Sequence, residues 1–302
     1  MPEAERKALI DRYPVEIGHL VGVPVDARDR ANRLALSRRI KLLESKKRER
    51  DELLKGFPEA RSLLDHRTWL SKMSPKLAGY YEGFIGLTPL RRRMTALSRE
   101  IAAAKNLQRQ LEEIAERSGY PLVSSDVYLL EFDTHAAYGD GHAVVALGKP
   151  NLAEHVGIIV PGINNSLLDV QNPLRDAADL RLTVFLNEGK QVFDRTATVM
   201  WLGYDAPNGL FDAANQAEAA EGAPRLVKFV DGLRSAHFRT PIRPGYSARS
   251  MRDPHIAGFV HSYGSTVGGR ATKTGMDIDD LALLGSPGGG AKYGSELASR
   301  NR

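Results

Sequence analysis

The chain contains no cysteine among its 302 residues. Disulfide scaffolds, zinc ribbons, iron–sulfur ligation and thiol catalysis are therefore excluded, and covalent catalysis would need Ser, Thr, Lys, Asp, Glu, His or Tyr. Long apolar runs are also missing, because no window approaches the roughly 18 consecutive apolar residues of a membrane-spanning helix. The segment Met1–Glu5 carries acidic charge where a secretory signal peptide carries basic charge, so we expect a cytoplasmic protein.

The charge of the chain is unevenly distributed. Residues 1–120 hold 25 Lys and Arg against 17 Asp and Glu, whereas residues 121–302 hold 17 against 20. Hydrophobic residues make up 42% of the chain, which is ample for a globular core, and the mean hydropathy is −0.33. The asymmetry indicates two regions: an α-helical N-terminal region over residues 1–120 and a second domain over residues 121–302.

Two long helices are predicted in the N-terminal region. Residues 29–55 are densely charged, with Leu36, Ile40 and Leu43 on one helical face. From Pro89 to Arg117 apolar residues recur at intervals of three and four, which is the pattern of an amphipathic helix. We expect these helices to pack as an antiparallel hairpin or against the following domain.

Basic runs in the same region favour a solvated helix face over a nucleic-acid or lipid surface. Lys46–Arg50 and Arg91–Arg93 have acidic residues nearby and few aromatic neighbours, so no nucleic-acid partner is expected. A protein partner that binds the N-terminal helices remains an open alternative.

From residue 121 onwards, short apolar runs alternate with helical segments. The predicted strands are Val123–Phe132, His142–Leu147, His155–Val160, Ala197–Leu202, Ile256–Val260 and Leu281–Leu284. Helices are predicted over residues 167–188 and 211–236, the second of them broken or kinked at Pro224. Strands that alternate with helices imply crossover connections, so the fold class is α/β, with a mostly parallel, doubly wound sheet.

The segment Gly258–Gly269 combines a strand, a sharp turn and a helix around Ser262. In a nucleophile elbow, a serine on such a turn projects its hydroxyl above the sheet, and backbone N–H groups at the helix start can stabilise an oxyanion. Strand and helix approach closely there, so small flanking residues are needed. Gly264 meets that need, whereas Val260 does not, and we expect its branched side chain to crowd the turn.

This segment, His261–Ser265, resembles the elbow of an actinobacterial α/β-hydrolase family of unknown function, which reads Gly-His-Ser-Tyr-Gly-Ser. Other stretches resemble that family in the same order: Asp26–Leu34, Val160–Gly162, Trp201–Pro207 and Gly285–Gly288.

The resemblance implies an α/β-hydrolase fold in which Ser262 is the nucleophile, supported by His261, Gly264 and Ser265. The backbone N–H groups of Tyr263 and Ile163 would form the oxyanion hole. It further implies a small-molecule acyl substrate with an ester, amide or thioester bond, and no cofactor.

The catalytic base is missing from its usual place. In this fold the triad acid and histidine follow the serine, but all eight histidines of this chain precede Ser262. Asp277, Asp279 and Asp280 do follow it, but they come before a strand rather than after one. We therefore expect a hydrolase core that lacks its C-terminal strands with acid and histidine. The protein is then either a serine hydrolase with an unusual base or an inactive or truncated hydrolase-fold protein that serves as a binding module.

Two further residues near the elbow have alternative interpretations. Adjacent residues on a tight turn point apart, so we expect His261 to be a packed or hydrogen-bonded structural residue rather than the base. Asp205 follows a predicted strand and either faces the cleft above the sheet or bonds to nearby backbone N–H groups. Metal-ligand spacing such as His-Glu-x-x-His is absent.

Overall fold

The structure is a computed structural model of the chain. It describes residues 2–20, 22–56, 88–117, 126–135, 141–209, 213, 216–239 and 252–297.

In the described part of the chain, four helices precede the sheet. They are α1 (Glu3–Arg12), α2 (Pro14–His19), α3 (Val25–Lys55) and α4 (Thr88–Arg117). The two long helices that the sequence predicts are thus present, and α3 buries Leu36, Ile40 and Leu43 as expected. The predicted break at Pro58 lies outside the described residues.

The packing of α3 and α4 differs from a helical hairpin. Arg39 pairs with Glu100, and five residues further along both helices Glu44 pairs with Lys105. The two ion pairs therefore advance in the same direction along both helices, which is the order of a parallel pair. Helix α3 also packs on the first strand of the sheet, where Asn32 donates to the Leu129 carbonyl. Packing against the sheet domain, the second of the two expected arrangements, is what the structure has.

Six strands form one sheet. They are β1 (Val127–Asp133), β2 (His142–Leu147), β3 (His155–Val160), β4 (Thr196–Leu202), β5 (His255–His261) and β6 (Asp280–Leu284). Their order is β1-β2-β4-β3-β5-β6. Strands β4, β3, β5 and β6 are parallel, as predicted, whereas β2 is antiparallel to both β1 and β4. The β1–β2 hairpin explains this difference, because β2 runs back along the sheet before the crossovers begin.

Among the described residues, one helix follows each of β3, β4 and β5: α5 (Gln171–Phe193), α6 (Ala217–Arg239) and α7 (Gly264–Lys273). Helix α6 runs through Pro224 as one element, so it is not broken there, and the alternative expectation of a kink stays a prediction. A proline inside a helix removes one backbone hydrogen bond. A short 3₁₀ turn, Gly294–Leu297, closes the described part of the chain.

One buried apolar cluster unites the helices with the sheet. Leu107 of α4, Leu129 of β1 and Val199 of β4 are all fully buried members of it. The expected boundary near residue 120 lies outside the described residues and stays a prediction. Within the described ranges, none of the helices has both the length and the apolar character required to cross a membrane.

Candidate functional site

Ser262 lies on a sharp turn between β5 and α7. Its φ angle is 51°, in the left-handed region that L-residues other than Gly rarely occupy. The Ser262 N–H donates to the Leu284 carbonyl of β6 at 2.8 Å, so the sheet ladder continues up to the turn. The side chain is half-buried, and no hydrogen bond to any described residue holds its hydroxyl. A strained residue fixed by a neighbouring strand presents that hydroxyl at the carboxyl-end edge of the parallel strands.

Helix α7 begins directly beneath the serine because residue 264 is glycine. A β-carbon on Gly264 would lie 2.5 Å from the Val160 carbonyl oxygen and 2.7 Å from that of Pro161. The fully buried Ser265 donates its hydroxyl hydrogen bond to the Val260 carbonyl at 3.1 Å. These contacts explain the small residues that the sequence places here, because the helix start touches the ends of both β3 and β5.

Val260 does not crowd the turn in the way the sequence suggests. Its side chain is buried against Gly268, one turn further along α7. In the usual elbow pattern a small residue on the strand lets the strand and helix approach each other. Here Gly268 on the helix makes that space instead.

The loop after β3 lies against the serine side chain. A β-carbon on Gly162 would lie 2.7 Å from Ser262 Cβ and 3.1 Å from Ser262 Oγ. Asn164 has a φ of 59° and donates its N–H to the Pro207 carbonyl, and Asn165 bonds back to the carbonyls of Gly162 and Ile163. The loop is therefore held in one conformation beside the Ser262 hydroxyl.

Two backbone N–H groups near the serine remain available. Neither the N–H of Ile163 nor that of Tyr263 donates a hydrogen bond to any residue in the described part of the chain. Tyr263 precedes the first residue of α7, where helix N–H groups have no intrahelical partner and the helix dipole is positive. A donor pair of this kind can bind a developing oxyanion.

A stack of three aromatic rings supports the loop. Tyr204 lies between Trp201 and Tyr263, with centroid distances of 6.2 Å on each side. Its phenol donates to the Pro161 carbonyl at 2.6 Å, and burial raises the pKa of Tyr204 well above its usual value. The family resemblance over Trp201–Pro207 indicated that this segment matters. The contact by which Tyr204 fixes the loop of Gly162 joins residues 43 positions apart, so the sequence could not predict it.

Tyr263 anchors the turn to α6. Its hydroxyl donates to Glu218 at 3.3 Å and accepts the N–H of Ala219 at 3.2 Å. Burial is the main cause that raises the pKa of the Tyr263 phenol, so the hydroxyl stays protonated. The side chain of this residue thus holds the backbone at the start of α7 against α6.

His261 is exposed rather than packed or hydrogen-bonded, in contrast to the expectation from the sequence. Within the described ranges its ring makes no hydrogen bond, and its Nε2 lies 3.6 Å from the position of a β-carbon on Gly285. His261 interacts electrostatically with the carboxyl of Asp176 on α5. Partial burial and Asp179 raise the pKa of that carboxyl, and His261 opposes the rise.

The three aspartates that follow the serine lie at the opposite edge of the sheet. Asp277 and Asp279 both bind Arg234, and Asp280 pairs with His255 at 2.9 Å. Asp277 and Asp279 precede β6 and Asp280 is its first residue. Because β6 is parallel to β5, the length of a strand separates all three from Ser262. Asp205 follows β4, at the same end of the parallel strands as Ser262. Its two interpretations, a side chain that faces the cleft above the sheet and one that bonds to nearby backbone N–H groups, both stay predictions. No group of three or more His, Asp or Glu among the described residues could hold a metal ion.

Comparison with known proteins supports the fold. A sequence model of the α/β-hydrolase family matches residues 137–302. The uncharacterized protein Rv2079 of Mycobacterium tuberculosis is 31% identical over 289 residues, covering 94% of this chain and 37% of that protein. The uncharacterized protein Mb0988c of Mycobacterium bovis is 33% identical over 159 residues, covering 51% of this chain and 55% of that protein.

No solved structure gave a significant match. The chain spans 37% of the length of the Rv2079 protein. A strand–turn–helix segment around a serine, a mostly parallel sheet and a family match over more than half of the residues agree with one another. The chain belongs to the α/β-hydrolase family, with uncharacterized mycobacterial relatives.

Proposed function

We propose that the protein is a serine hydrolase of ester, amide or thioester bonds and that Ser262 is its nucleophile. The observation that carries the proposal is the left-handed φ of 51° at Ser262 beside the glycine loop of residue 162. A left-handed serine costs about 1–2 kcal/mol, which a turn without a function for the hydroxyl could avoid with glycine. The strain is explained when the hydroxyl must project above the sheet.

In the proposed reaction, Ser262 Oγ forms a bond to the acyl carbon of the substrate while its proton passes to a base. The carbonyl π electrons move to oxygen, and the backbone N–H groups of Tyr263 and Ile163 donate to that oxyanion. Collapse of the intermediate expels the alcohol, amine or thiol, which takes up the proton. Water then hydrolyses the acyl-enzyme and regenerates Ser262.

The base is the part of the mechanism that the described residues do not supply. All eight histidines precede Ser262 in sequence, and no described residue bonds to its hydroxyl. We propose that the base lies in a part of this chain outside the described residues. The hypothesis therefore assigns the nucleophile and the oxyanion donors, but not the base, to this segment.

A fluorophosphonate probe tests the proposal because it forms a bond only with an activated serine. We expect time-dependent labelling at Ser262 that disappears in Ser262→Ala. Ser286→Ala is the matched control, because that serine lies in the turn after β6 and should leave labelling unchanged. Folded protein that resists the probe, or labelling that survives in Ser262→Ala, would contradict the assignment.

A second candidate function is supported by the lack of any residue that bonds to the Ser262 hydroxyl in the parts of the chain that the structure describes. A hydrolase-fold protein without a proton acceptor can keep its pocket and bind a ligand or a protein without turnover, using its N-terminal helices as the contact surface. The two functions differ in one measurement. Steady-state hydrolysis of a p-nitrophenyl ester that depends on Ser262 excludes the binding module, whereas stable folded protein with no turnover supports it.

A further inference from the structure

Helix α4 of the N-terminal region contacts the loop that carries one of the proposed oxyanion donors. The loop connects β3 to α5 over residues 161–170 and includes Ile163, whose N–H is that donor. Asn106 of α4 donates from its side-chain nitrogen to the carbonyls of Leu167 and Leu168, at 2.7 and 2.9 Å. The N-terminal helices are therefore bonded to the loop four and five residues after Ile163.

The neighbours of the Asn106 amide specify its orientation. Besides the two carbonyls, the Gln171 side-chain oxygen lies 3.4 Å from the Asn106 nitrogen. The Asn106 oxygen accepts a hydrogen bond from the Arg109 guanidinium, which lies almost one turn further along α4. A flipped amide would place its oxygen against both carbonyl oxygens. The nitrogen therefore faces the loop, and its two hydrogens are sufficient for both carbonyls.

The Leu167 carbonyl needs this donor because it is shielded from water. The Leu167 side chain is fully buried, and the hydrogen bond from Asn106 is buried as well. A buried carbonyl without a donor costs free energy, so loss of the donor favours a loop conformation in which the carbonyl reaches water. The Asn165 side chain bonds to the carbonyls of Gly162 and Ile163, so a shift in the second half of the loop is transmitted to the first.

Asn106 is not the main contact that holds α4 on the core. Its neighbours Ala103, Leu107 and Leu111 belong to the buried apolar cluster that unites the helices with the sheet. These side chains keep α4 in place when the amide is changed. A substitution at residue 106 therefore acts chiefly on the loop.

We propose that Asn106 is a positioning residue for the reaction of Ser262, an inference that rests on the proposed function. Its side-chain nitrogen fixes the second half of the loop, and the loop holds the Ile163 N–H where the oxyanion develops. A misplacement of about 1 Å can slow a reaction about a hundred-fold, so a small shift of the loop is sufficient. Helix α4 is then part of the unit that positions the reacting groups.

Two substitutions separate the donor from the shape of the side chain. Asn106→Asp keeps the shape but places an oxygen against the two carbonyls, whereas Asn106→Gln keeps both N–H hydrogens on a side chain that is one carbon longer. Fluorophosphonate labelling of Ser262 over a range of probe concentrations separates the rate constant at saturation from the concentration at half-saturation.

We expect the rate constant at saturation to fall at least about ten-fold in Asn106→Asp and to stay at least about three-fold higher in Asn106→Gln than in Asn106→Asp. The concentration at half-saturation should not change, because the oxyanion donor acts on the transition state. If Asn106→Asp does not fold, Asn106→Ala takes its place, since it removes the donor without adding a charge.

Ile101→Val is the matched control because it removes one buried methyl group from α4, five residues before Asn106. Urea unfolding should show its loss of stability, while its labelling rate stays that of the unsubstituted protein. Labelling in Asn106→Asp that is as fast as in Asn106→Gln would overturn the inference, as would an equal slowing in Ile101→Val. Absence of labelling in the unsubstituted protein would refute the proposed function itself, and this inference with it.

Discussion

Val260 and Gly268 form a complementary pair across the strand–helix junction. A β-carbon on Gly268 would lie 2.6 Å from Val260 Cγ1, closer than two carbon atoms can approach. The valine on β5 and the glycine on α7 therefore depend on each other: the one fills the space that the other leaves.

This relationship predicts non-additive substitutions. Gly268→Ala should lower the free energy of unfolding by about 1–3 kcal/mol through the clash, although alanine is the better helix former. Val260→Ala should also destabilise, because it removes buried methyl groups. In Val260→Ala/Gly268→Ala the clash disappears, so the loss should be smaller than the two single losses added together by about 1–3 kcal/mol. Urea unfolding of the four proteins measures this coupling, and strictly additive values would contradict the pairing.

Ser262→Gly should be more stable than Ser262→Ala by about 1 kcal/mol. Alanine keeps the penalty of a β-carbon at a φ of 51°, whereas glycine removes it. The same comparison at Ser265, inside α7, should have the opposite sign, because glycine is about 1 kcal/mol less favourable than alanine in a helix. Thermal or urea unfolding checks both pairs. Equal signs at the two positions would show that the backbone at Ser262 is not strained.

Tyr204→Phe should slow the fluorophosphonate labelling of Ser262 about ten-fold. The substitution removes the donor that holds the Pro161 carbonyl and so loosens the loop of Ile163, while the ring stack with Trp201 and Tyr263 remains. Tyr128→Phe is the matched control, because its hydroxyl bonds to Asp126 on the far side of the sheet. Labelling rates that fall equally in both variants would indicate a general loss of stability instead.

Gly162→Ala should lower the labelling rate of Ser262 at least about ten-fold. The new methyl group would lie 2.7 Å from Ser262 Cβ and must displace either the serine or the loop that carries the Ile163 N–H. Gly294→Ala is the control, because a β-carbon at that position meets open space. Unchanged labelling in Gly162→Ala would mean that the loop does not contact the reactive side chain.

Acid should destabilise the fold in part through His142. Burial is the main cause that lowers the pKa of His142 to about 4, and the charge of Arg225 contributes to this shift. Above pH about 6.5 the ring is neutral in both the folded and unfolded states, so it adds no pH dependence. As the pH falls towards 4, the unfolded state binds a proton that the folded state excludes, and stability is lost.

His142→Gln should reduce this loss by about 2–3 kcal/mol between pH about 7 and about 4.5. Urea unfolding at the two pH values gives the difference directly. His19→Gln removes an exposed histidine and should leave the pH dependence as it is. An identical acid loss with and without His142 would show that its ring takes up a proton in the folded state.

The sequence was sufficient to predict the local features of this structure. Strands and helices after residue 126 follow the apolar runs that predict them, and the strand–turn–helix segment around Ser262 is readable from adjacent residues. The features that escaped prediction all need contacts between distant positions. Gly268 compensates for Val260 only once α7 folds back on β5, and the Tyr204 hydroxyl reaches Pro161 only after the ends of β3 and β4 meet.

The order of the strands in the sheet could likewise not be predicted from the hydrophobic pattern of the sequence. Periodicity indicates that β2 is a strand, but not that it lies antiparallel between β1 and β4. The amphipathic faces of the two N-terminal helices allow either a hairpin or packing on the following domain, because such faces do not specify which partner a helix contacts. The hydrogen bond from Asn106 to Leu167 joins residues 61 positions apart, so no single stretch of sequence could predict it.

The left-handed backbone at Ser262 also bears on how this position drifts under mutation. A serine codon can change to a glycine codon by one base, and that change would relieve the strain. Random substitution filtered only for stability therefore favours glycine at residue 262. If Ser262 is the nucleophile, selection for its hydroxyl opposes that drift. In relatives that have lost the activity, glycine should therefore replace Ser262 sooner than it replaces Ser265. The helical backbone at Ser265 is more stable with a side chain than with glycine.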